Sequence, residues 1–125
     1  MGNDLKFAIE CRTKGDINCI ELSGYLDAHT APQLEDEIHD LVKSGKNKII
    51  VNFNNLDYIS SAGLGVFMAF IEDVRFSGGD IKLSSMRPKV FSVFDLLGFP
   101  VLFDIVQNDE AAIEKFNLNP INGNE

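Results

Sequence analysis

The chain has 125 residues and carries 11 Lys plus Arg against 19 Asp plus Glu, a formal net charge of −8 at pH 7. Its length suits one domain with a substantial core, and its acidic balance argues against nucleic acid, because binding to phosphates requires a cationic surface. The N-terminus lacks the basic and apolar regions of a signal peptide, and no apolar run approaches the roughly 20 residues that cross a bilayer. We therefore expect a cytoplasmic protein that binds neither nucleic acid nor membrane.

The chain begins with a pattern typical of a β-hairpin. Alternating apolar residues over 5–11 predict a strand with one buried face, and a second strand is predicted over 17–22 after the turn signal at 14–16. Cys11 and Cys19 are expected to be buried strand residues. A reducing cytosol disfavours a disulfide between them, and two thiols without further ligands do not form a metal site.

A helix is predicted to start at residue 30. Thr30 can cap it, Pro32 suits its first turn, and Gln33 stands at the spacing of a capping box. Apolar residues recur at i, i+4, i+7 and i+8 from Leu34, which predicts one buried face as far as Ser44.

The middle of the chain predicts a strand, a loop and a second helix. A β-branched run at 49–53 predicts a buried strand, paired in parallel because a helix leads into it, and a loop is expected over 54–59. The apolar stretch at 62–76 is too long for a typical strand. It predicts a mostly buried helix that is capped by Ser60 or Ser61.

The last third repeats the alternation of strand and helix. A strand is predicted over 81–84 and a helix from Pro88, with Val90, Phe94 and Leu97 on its buried face. A final strand over 101–106 and a short helix capped by Asp109 complete the elements.

The order β-β-α-β-α-β-α-β-α implies an α/β fold. We expect a mixed, mostly parallel sheet of four to five strands with about four helices packed on it. One domain is predicted over 1–117, followed by a flexible C-terminal tail over 118–125.

Few residues suit catalysis. A triad of Ser61, His29 and Asp27 is disfavoured, because an aspartate two residues from the histidine is badly placed to orient it, and Ser61 lacks the Gly-x-Ser-x-Gly turn. The Gly-x-Gly-x-x-Gly fingerprint of nucleotide binding is incomplete, because Met68 stands where its third glycine should be. The Gly-Lys-Ser/Thr ending of a phosphate-binding loop is also absent from the sequence. We therefore expect no catalytic residue, metal or cofactor, and an enzyme, as a serine or nucleotide hydrolase, is the least favoured class.

Two serines and two glycines begin the second helix, in the segment Ser60-Ser61-Ala62-Gly63-Leu64-Gly65. A helix N-terminus favours negative charge, so a phosphoryl group could be held there. Alternatively, one serine caps the helix and the glycines allow close packing. A cap needs only one hydroxyl and glycine costs roughly 1 kcal/mol relative to alanine in a helix, so the segment also suits the close approach of a partner.

The segment 58–66 resembles the Asp-Ser-Ser/Thr/Ala-Gly-Leu-Gly signature of bacterial anti-sigma factor antagonists, which are single STAS domains. The segment 24–31 is similar to the family's Gly-x-Leu/Ile-Asp landmark before the first helix. The segment 78–84, with the helix after it, resembles a later strand-helix unit. The resemblance covers about residues 5–116 and implies the fold of that family.

The resemblance also implies that the chain is a switch and not an enzyme. The serine that is phosphorylated in the family aligns with Ser61, and Ser60 is a second candidate acceptor. The unmodified protein would bind an anti-sigma factor with serine kinase activity and free the sigma factor. Phosphorylation would break that complex, and a PPM-type serine phosphatase would reset it. A monomer or weak dimer is expected, with a partner-binding surface that comprises Asp27, His29, Ser60, Ser61, Gly63, Leu64 and Gly65.

The chain departs from the family at Ser60, where the family has Asp. This change removes a carboxylate beside the acceptor, which bears on kinase choice, rate and metal dependence. Asp27 would repel a phosphoserine if its loop lies beside that of Ser61, or would serve as a turn residue. The alternative function is a STAS scaffold or regulatory subunit of a non-sigma complex that phosphorylation does not control.

Overall fold

The fold alternates strands and helices in the predicted order, with one short helix in addition. The computed structural model describes residues 7–118. Its strands are β1 (Ala8–Lys14), β2 (Ile17–Leu26), β3 (Lys48–Ile59), β4 (Asp80–Ser84) and β5 (Ile105–Val106). Its helices are α1 (Ala31–Lys43), α2 (Ser61–Phe76), α3 (Pro88–Leu96), α4 (Phe99–Leu102) and α5 (Asp109–Leu118).

The five strands form one mixed sheet in the order β1-β2-β3-β4-β5. The pair β1–β2 is antiparallel because a two-residue turn joins Lys14 to Ile17, and Gly15 adopts the positive φ of 62° that this turn requires. The other neighbours are parallel because a helix connects each pair. The predicted α/β class and mostly parallel sheet are confirmed.

Each face of the sheet packs against helices. The larger core lies under α1, α2 and α3, where the fully buried rings of Phe53, Phe67 and Phe94 contact one another at centroid distances of 5.4–6.3 Å. A smaller core on the opposite face joins Ile17 and Ile50 to Ala112 of α5. Burial of these apolar side chains is the main stabilising term of the fold.

Two central strands are longer than predicted. The prediction of a loop over 54–59 is wrong, because β3 continues to Ile59 and β2 continues to Leu26, where the two residues pair. The β2–β3 register shifts twice, between Asn52 and Asn55 and again between Leu56 and Tyr58. The Asn52 side chain accepts a hydrogen bond from the Asn54 backbone at 2.8 Å. The longer strands carry their carboxyl ends to the start of α1 and α2.

The C-terminal elements also differ from the prediction. The prediction of a strand over 101–106 is correct only at Ile105 and Val106. The residues before them form the short helix α4, which the chain enters through Gly98 with a φ of 78°. Leu97 is the C-cap of α3 and is exposed, so the prediction that it lies on the buried face is wrong. Phe99 and Phe103 are buried whereas Val101 between them is exposed, and a strand would place all three on the same face.

The cap of α5 is Asn108 and not Asp109 as predicted. The Asn108 side chain accepts a hydrogen bond from the Ala111 backbone at 2.8 Å. Leu118, predicted to begin the tail, is the last residue of α5, whereas Leu5 and residues 119–125 lie outside the described residues. No helix of residues 7–118 is long and apolar enough to cross a membrane.

The cysteines do not occupy the predicted core positions. Cys11 is exposed and Cys19 is half-buried, and they do not pair, because Cys11 lies opposite Ile20 in the hairpin. The Cys11 thiol donates to Glu37 at 3.0 Å and the Cys19 thiol donates to Asp109 at 3.4 Å. Loss of water around each sulphur, together with its neighbouring carboxylate, raises the pKa of both thiols to about 12.

Candidate functional site

The loops that follow β2 and β3 lie side by side. Parallel strands end at the same edge of a sheet, and the pairing of Leu26 with Ile59 aligns these two ends. The Ser60 backbone N–H donates a hydrogen bond to the Leu26 carbonyl at 2.9 Å. The structure therefore brings the Asp27 loop and the serine pair together, which is the arrangement in which Asp27 was expected to repel a phosphoserine.

Ser60 and Ser61 have different roles in α2. Ser60 is the N-cap, with extended backbone and a side-chain oxygen that accepts from the Gly63 backbone N–H at 3.5 Å. Ser61 is the first residue of the helix and is exposed. Within residues 7–118, no hydrogen bond engages the Ser61 hydroxyl. Only Ser61 therefore presents a free hydroxyl at the positive end of the helix dipole.

The two glycines of the segment meet different surroundings. A Cβ at Gly63 would lie 2.8 Å from Cγ of Leu26 and 3.0 Å from Cγ1 of Ile59, so glycine allows α2 to approach both strands. A Cβ at Gly65 would point into open space. Leu64 is buried in the core. Gly63 and Leu64 therefore position the helix, whereas Ser61 and Gly65 lie at its surface.

Asp27 organises the entry into α1. Its Oδ1 accepts hydrogen bonds from the backbone N–H groups of His29 at 2.9 Å and Thr30 at 3.2 Å. The Thr30 hydroxyl accepts from the Asp27 backbone N–H at 2.9 Å and donates to the Tyr25 carbonyl at 2.9 Å. Thr30 therefore tightens the loop, and the predicted side-chain cap and capping box of α1 are wrong.

No catalytic triad forms at this site. The Asp27 carboxylate contacts the backbone of His29 and not its imidazole, which is exposed. Among residues 7–118, no group of three His, Cys, Asp or Glu side chains could hold a metal ion. A cavity of about 520 Å³ lies under α5, lined by residues such as Arg12, Asn52 and Asp109, and includes none of the predicted site residues. The chemistry available at the serine pair is that of an accessible hydroxyl.

Two tyrosines near the site were missed by the sequence reasoning. Tyr25 and Tyr58 pair across β2 and β3 with ring centroids 5.2 Å apart, and they are 37% and 46% exposed. They face away from the core that contains Leu26 and Ile59. The sequence places each tyrosine two residues before a site residue, Asp27 or Ser60. Because a loop was predicted over 54–59, the strand pairing that brings the two tyrosines together was not predicted.

A family model described as the STAS domain matches residues 8–112. The chain belongs to the STAS domain family. This STAS domain is 35% identical to a putative anti-sigma factor antagonist, BtrV, of Bordetella bronchiseptica, over 76% of this chain and 82% of that protein.

The solved structure of the anti-sigma factor antagonist SpoIIAA in its unphosphorylated form is similar to this STAS domain, with a TM-score of 0.75 and 26% identity over 90% of this chain and 96% of that one. The Bacillus cell fate determinant SpoIIAA in its phosphorylated form superimposes with a TM-score of 0.68 and 25% identity, over 88% and 98% of the two chains. The fold of this STAS domain therefore occurs in an antagonist that is known in two phosphorylation states.

Proposed function

We propose that this STAS domain is an anti-sigma factor antagonist that phosphorylation of Ser61 switches off. The observation that carries the proposal is the exposed hydroxyl of Ser61 at the start of the 16-residue helix α2, which no hydrogen bond engages among residues 7–118. The similarity to BtrV and SpoIIAA, both named as antagonists, supports the same function. The unmodified protein binds an anti-sigma factor and so frees the sigma factor.

The modification is a phosphoryl transfer from ATP by an anti-sigma factor with serine kinase activity. The Ser61 Oγ forms a bond to the γ-phosphorus, the bond from that phosphorus to the β,γ-bridging oxygen breaks, and ADP leaves with that oxygen. A base in the kinase takes the hydroxyl proton. The base and the nucleotide belong to the partner, so this chain supplies the accessible nucleophile and the geometry that presents it.

Phosphorylation changes the binding surface by its charge. Phosphoserine carries about −1.5 to −2 charges at pH 7, and the N-terminus of α2 stabilises an anion by roughly 0.3–1 kcal/mol, so the fold tolerates the group. A partner that packs on a neutral hydroxyl must then desolvate a phosphate beside the Asp27 loop. Each 1.4 kcal/mol of this cost weakens binding tenfold.

Ser60 replaces the aspartate of the family pattern but keeps its position as the N-cap of α2. Serine and aspartate are both preferred N-caps, so Ser60 keeps the cap of α2 while removing a charge. Its hydroxyl is engaged with Gly63 and half-buried, which leaves Ser61 as the acceptor. A PPM-type serine phosphatase resets the switch by hydrolysing the Ser61 phosphate.

The acceptor can be tested with intact-mass spectrometry. Wild type, Ser60→Ala and Ser61→Ala are incubated with ATP and the serine-kinase anti-sigma factor encoded by the same genome. We expect wild type and Ser60→Ala to gain one phosphoryl group and Ser61→Ala to gain none. Full modification of Ser61→Ala, or no modification of wild type, would contradict the assignment.

A further inference from the structure

The outer edge of β1 is unpaired in the part of the chain that the structure describes. β1 is the first strand of the sheet, and its only neighbour among residues 7–118 is β2. All of its residues except the half-buried Ile9 are exposed. An edge of this kind presents a row of backbone N–H and C=O groups that can pair with another strand.

This edge carries charged side chains but lacks two other features that prevent such pairing, a bulge and a proline. The β1–β2 register runs from Ala8 to Lys14 without a bulge, and the strand contains no proline. Its one lysine stands at the last position. A regular edge of seven residues is long enough for a stable ladder, because strands in globular proteins typically have about five or six.

The charges of β1 are complementary to a second copy of the same strand. If two copies pair antiparallel about Cys11, Glu10 of each lies opposite Arg12 of the other, since residues whose numbers sum to 22 face each other. Glu10 and Arg12 are two residues apart and project from the same face of the sheet. Directly opposed opposite charges stabilise a pair of strands.

Within its own chain, Glu10 faces a residue of the same charge. It is directly opposite Glu21 in the hairpin, and like charges in that position repel. Arg12 forms an ion pair with Glu21 at 3.0 Å, and Glu10 makes no ion pair within residues 7–118. The second copy would supply the missing cation, with its Arg12 placed opposite Glu10.

We propose that two copies of this chain associate through β1 as an antiparallel pair centred on Cys11. The two five-stranded sheets then continue as one sheet of ten strands. The two-fold axis is perpendicular to the sheet and reverses strand direction, so the Ser61 ends of the two copies point in opposite directions. Both Ser61 sites stay accessible, and the association is independent of the phosphorylation switch.

The same geometry limits the affinity. The Cys11 thiol contacts Glu37 of α1 at 3.0 Å, so the pairing brings two acidic α1 helices towards the axis. Their repulsion opposes the two Glu10–Arg12 pairs. The dimer is therefore weak, and neutralising Glu37 with glutamine strengthens it.

Charge exchange tests the register by sedimentation velocity over a concentration series. We expect wild type to dimerise, Glu10→Arg to weaken the association constant by about tenfold or more because two repulsive pairs replace two attractive ones, and Glu10→Arg with Arg12→Glu to restore it. Glu114→Arg, an exposed charge reversal on α5, is the matched control and leaves the association unchanged. Circular dichroism confirms that each variant is folded.

Disulfide trapping gives a second measurement. Directly opposed residues in antiparallel strands have Cα atoms about 4.5–5.5 Å apart, within the range of a disulfide. Oxidation with diamide, which takes up two hydrogens per disulfide formed, cross-links Cys19→Ser but not Cys11→Ser. Monomeric wild type at its solubility limit, no rescue by the double variant, or cross-linking that Glu10→Arg leaves unchanged would each overturn the proposal.

Discussion

Gly63 and Gly65 are two residues apart in α2, yet only one is needed for packing. Gly63 lies against the side chains of Leu26 and Ile59, whereas Gly65 faces open space. Sequence reasoning predicted close packing for both glycines or an approaching partner for both. The structure assigns packing to Gly63 and leaves Gly65 at the surface, because only the tertiary arrangement shows which side of α2 meets the strands.

Alanine at the two positions should separate these roles. We expect Gly63→Ala to lower the free energy of unfolding by about 1–3 kcal/mol, because the new methyl group overpacks the contact with Leu26. Gly65→Ala should instead raise it by up to about 1 kcal/mol through helix propensity. Urea unfolding of both variants measures the difference. Equal effects at the two positions would contradict the packing role of Gly63.

At the scale of elements, the position of α5 depends on one carboxylate. Asp109 accepts hydrogen bonds from Ser84 at 2.6 Å and from Asn52 at 3.0 Å, so it joins α5 to β4 and β3. Sequence reasoning interpreted Asp109 as a helix cap, because the pattern of a helix start is local. Its actual partners are 25 and 57 residues away in the chain.

Removal of this carboxylate should loosen α5. We expect Asp109→Ala to cost about 1–3 kcal/mol of unfolding free energy, because Ser84 and Asn52 are buried and lose their acceptor. Glu110→Ala, an exposed acidic residue in the same turn, is the matched control and should change stability little. Urea unfolding measures both, and hydrogen exchange in α5 shows whether the loss is local. A loss in Glu110→Ala as large as that in Asp109→Ala would remove the specific role of Asp109.

The elements themselves were predictable where their signals are local. The helices α1 and α2 and the strand β4 were predicted to within a few residues, because apolar periodicity and glycine stops mark them. The second half of β3 was missed, since Asn54 and Asn55 are typical of loops. Pairing with β2 outweighs that preference, and the polar side chains are accommodated where the sheet is irregular or exposed.

At the scale of the whole molecule, a buried lysine contributes to the dependence of stability on pH. Lys82 contacts Asp104 at 2.7 Å and Asp80 at 2.9 Å. Burial acts to raise the pKa of the Asp104 carboxyl, but the hydrogen bond and charge of Lys82 outweigh it and hold that pKa below its ordinary value. A carboxyl with a lowered folded-state pKa stabilises the fold above its unfolded pKa, and this contribution is lost as the pH falls through the folded value.

Asp104→Asn should therefore be less stable than wild type at neutral pH. The difference in unfolding free energy should be largest above about pH 5 and should shrink as the pH falls below about 4. The control Asp16→Asn removes an exposed ion pair with Lys48, which solvent screens, so its effect should be smaller. Urea unfolding across this pH range measures both. A difference for Asp104→Asn that stays constant with pH would contradict the linkage.

The overall architecture followed from the sequence because its elements have local signals, whereas the structure adds that parallel pairing aligns the strand ends before Asp27 and Ser60. The distinction between Ser60 and Ser61 did not follow from the sequence, since either could cap a helix that starts near residue 61. Backbone geometry assigns the cap to Ser60 and exposes Ser61. The charge of −8 is a property of the whole chain, whereas the proposed switch depends on charge added at one position.

The central claim is that phosphate on Ser61 prevents binding to the anti-sigma factor. Isothermal titration of the kinase anti-sigma factor with unmodified protein and with protein phosphorylated only at Ser61 tests it most directly. We predict that the unmodified form binds and that the phosphorylated form binds at least about tenfold more weakly, a difference of about 1.4 kcal/mol. Equal affinity of the two forms would contradict the account.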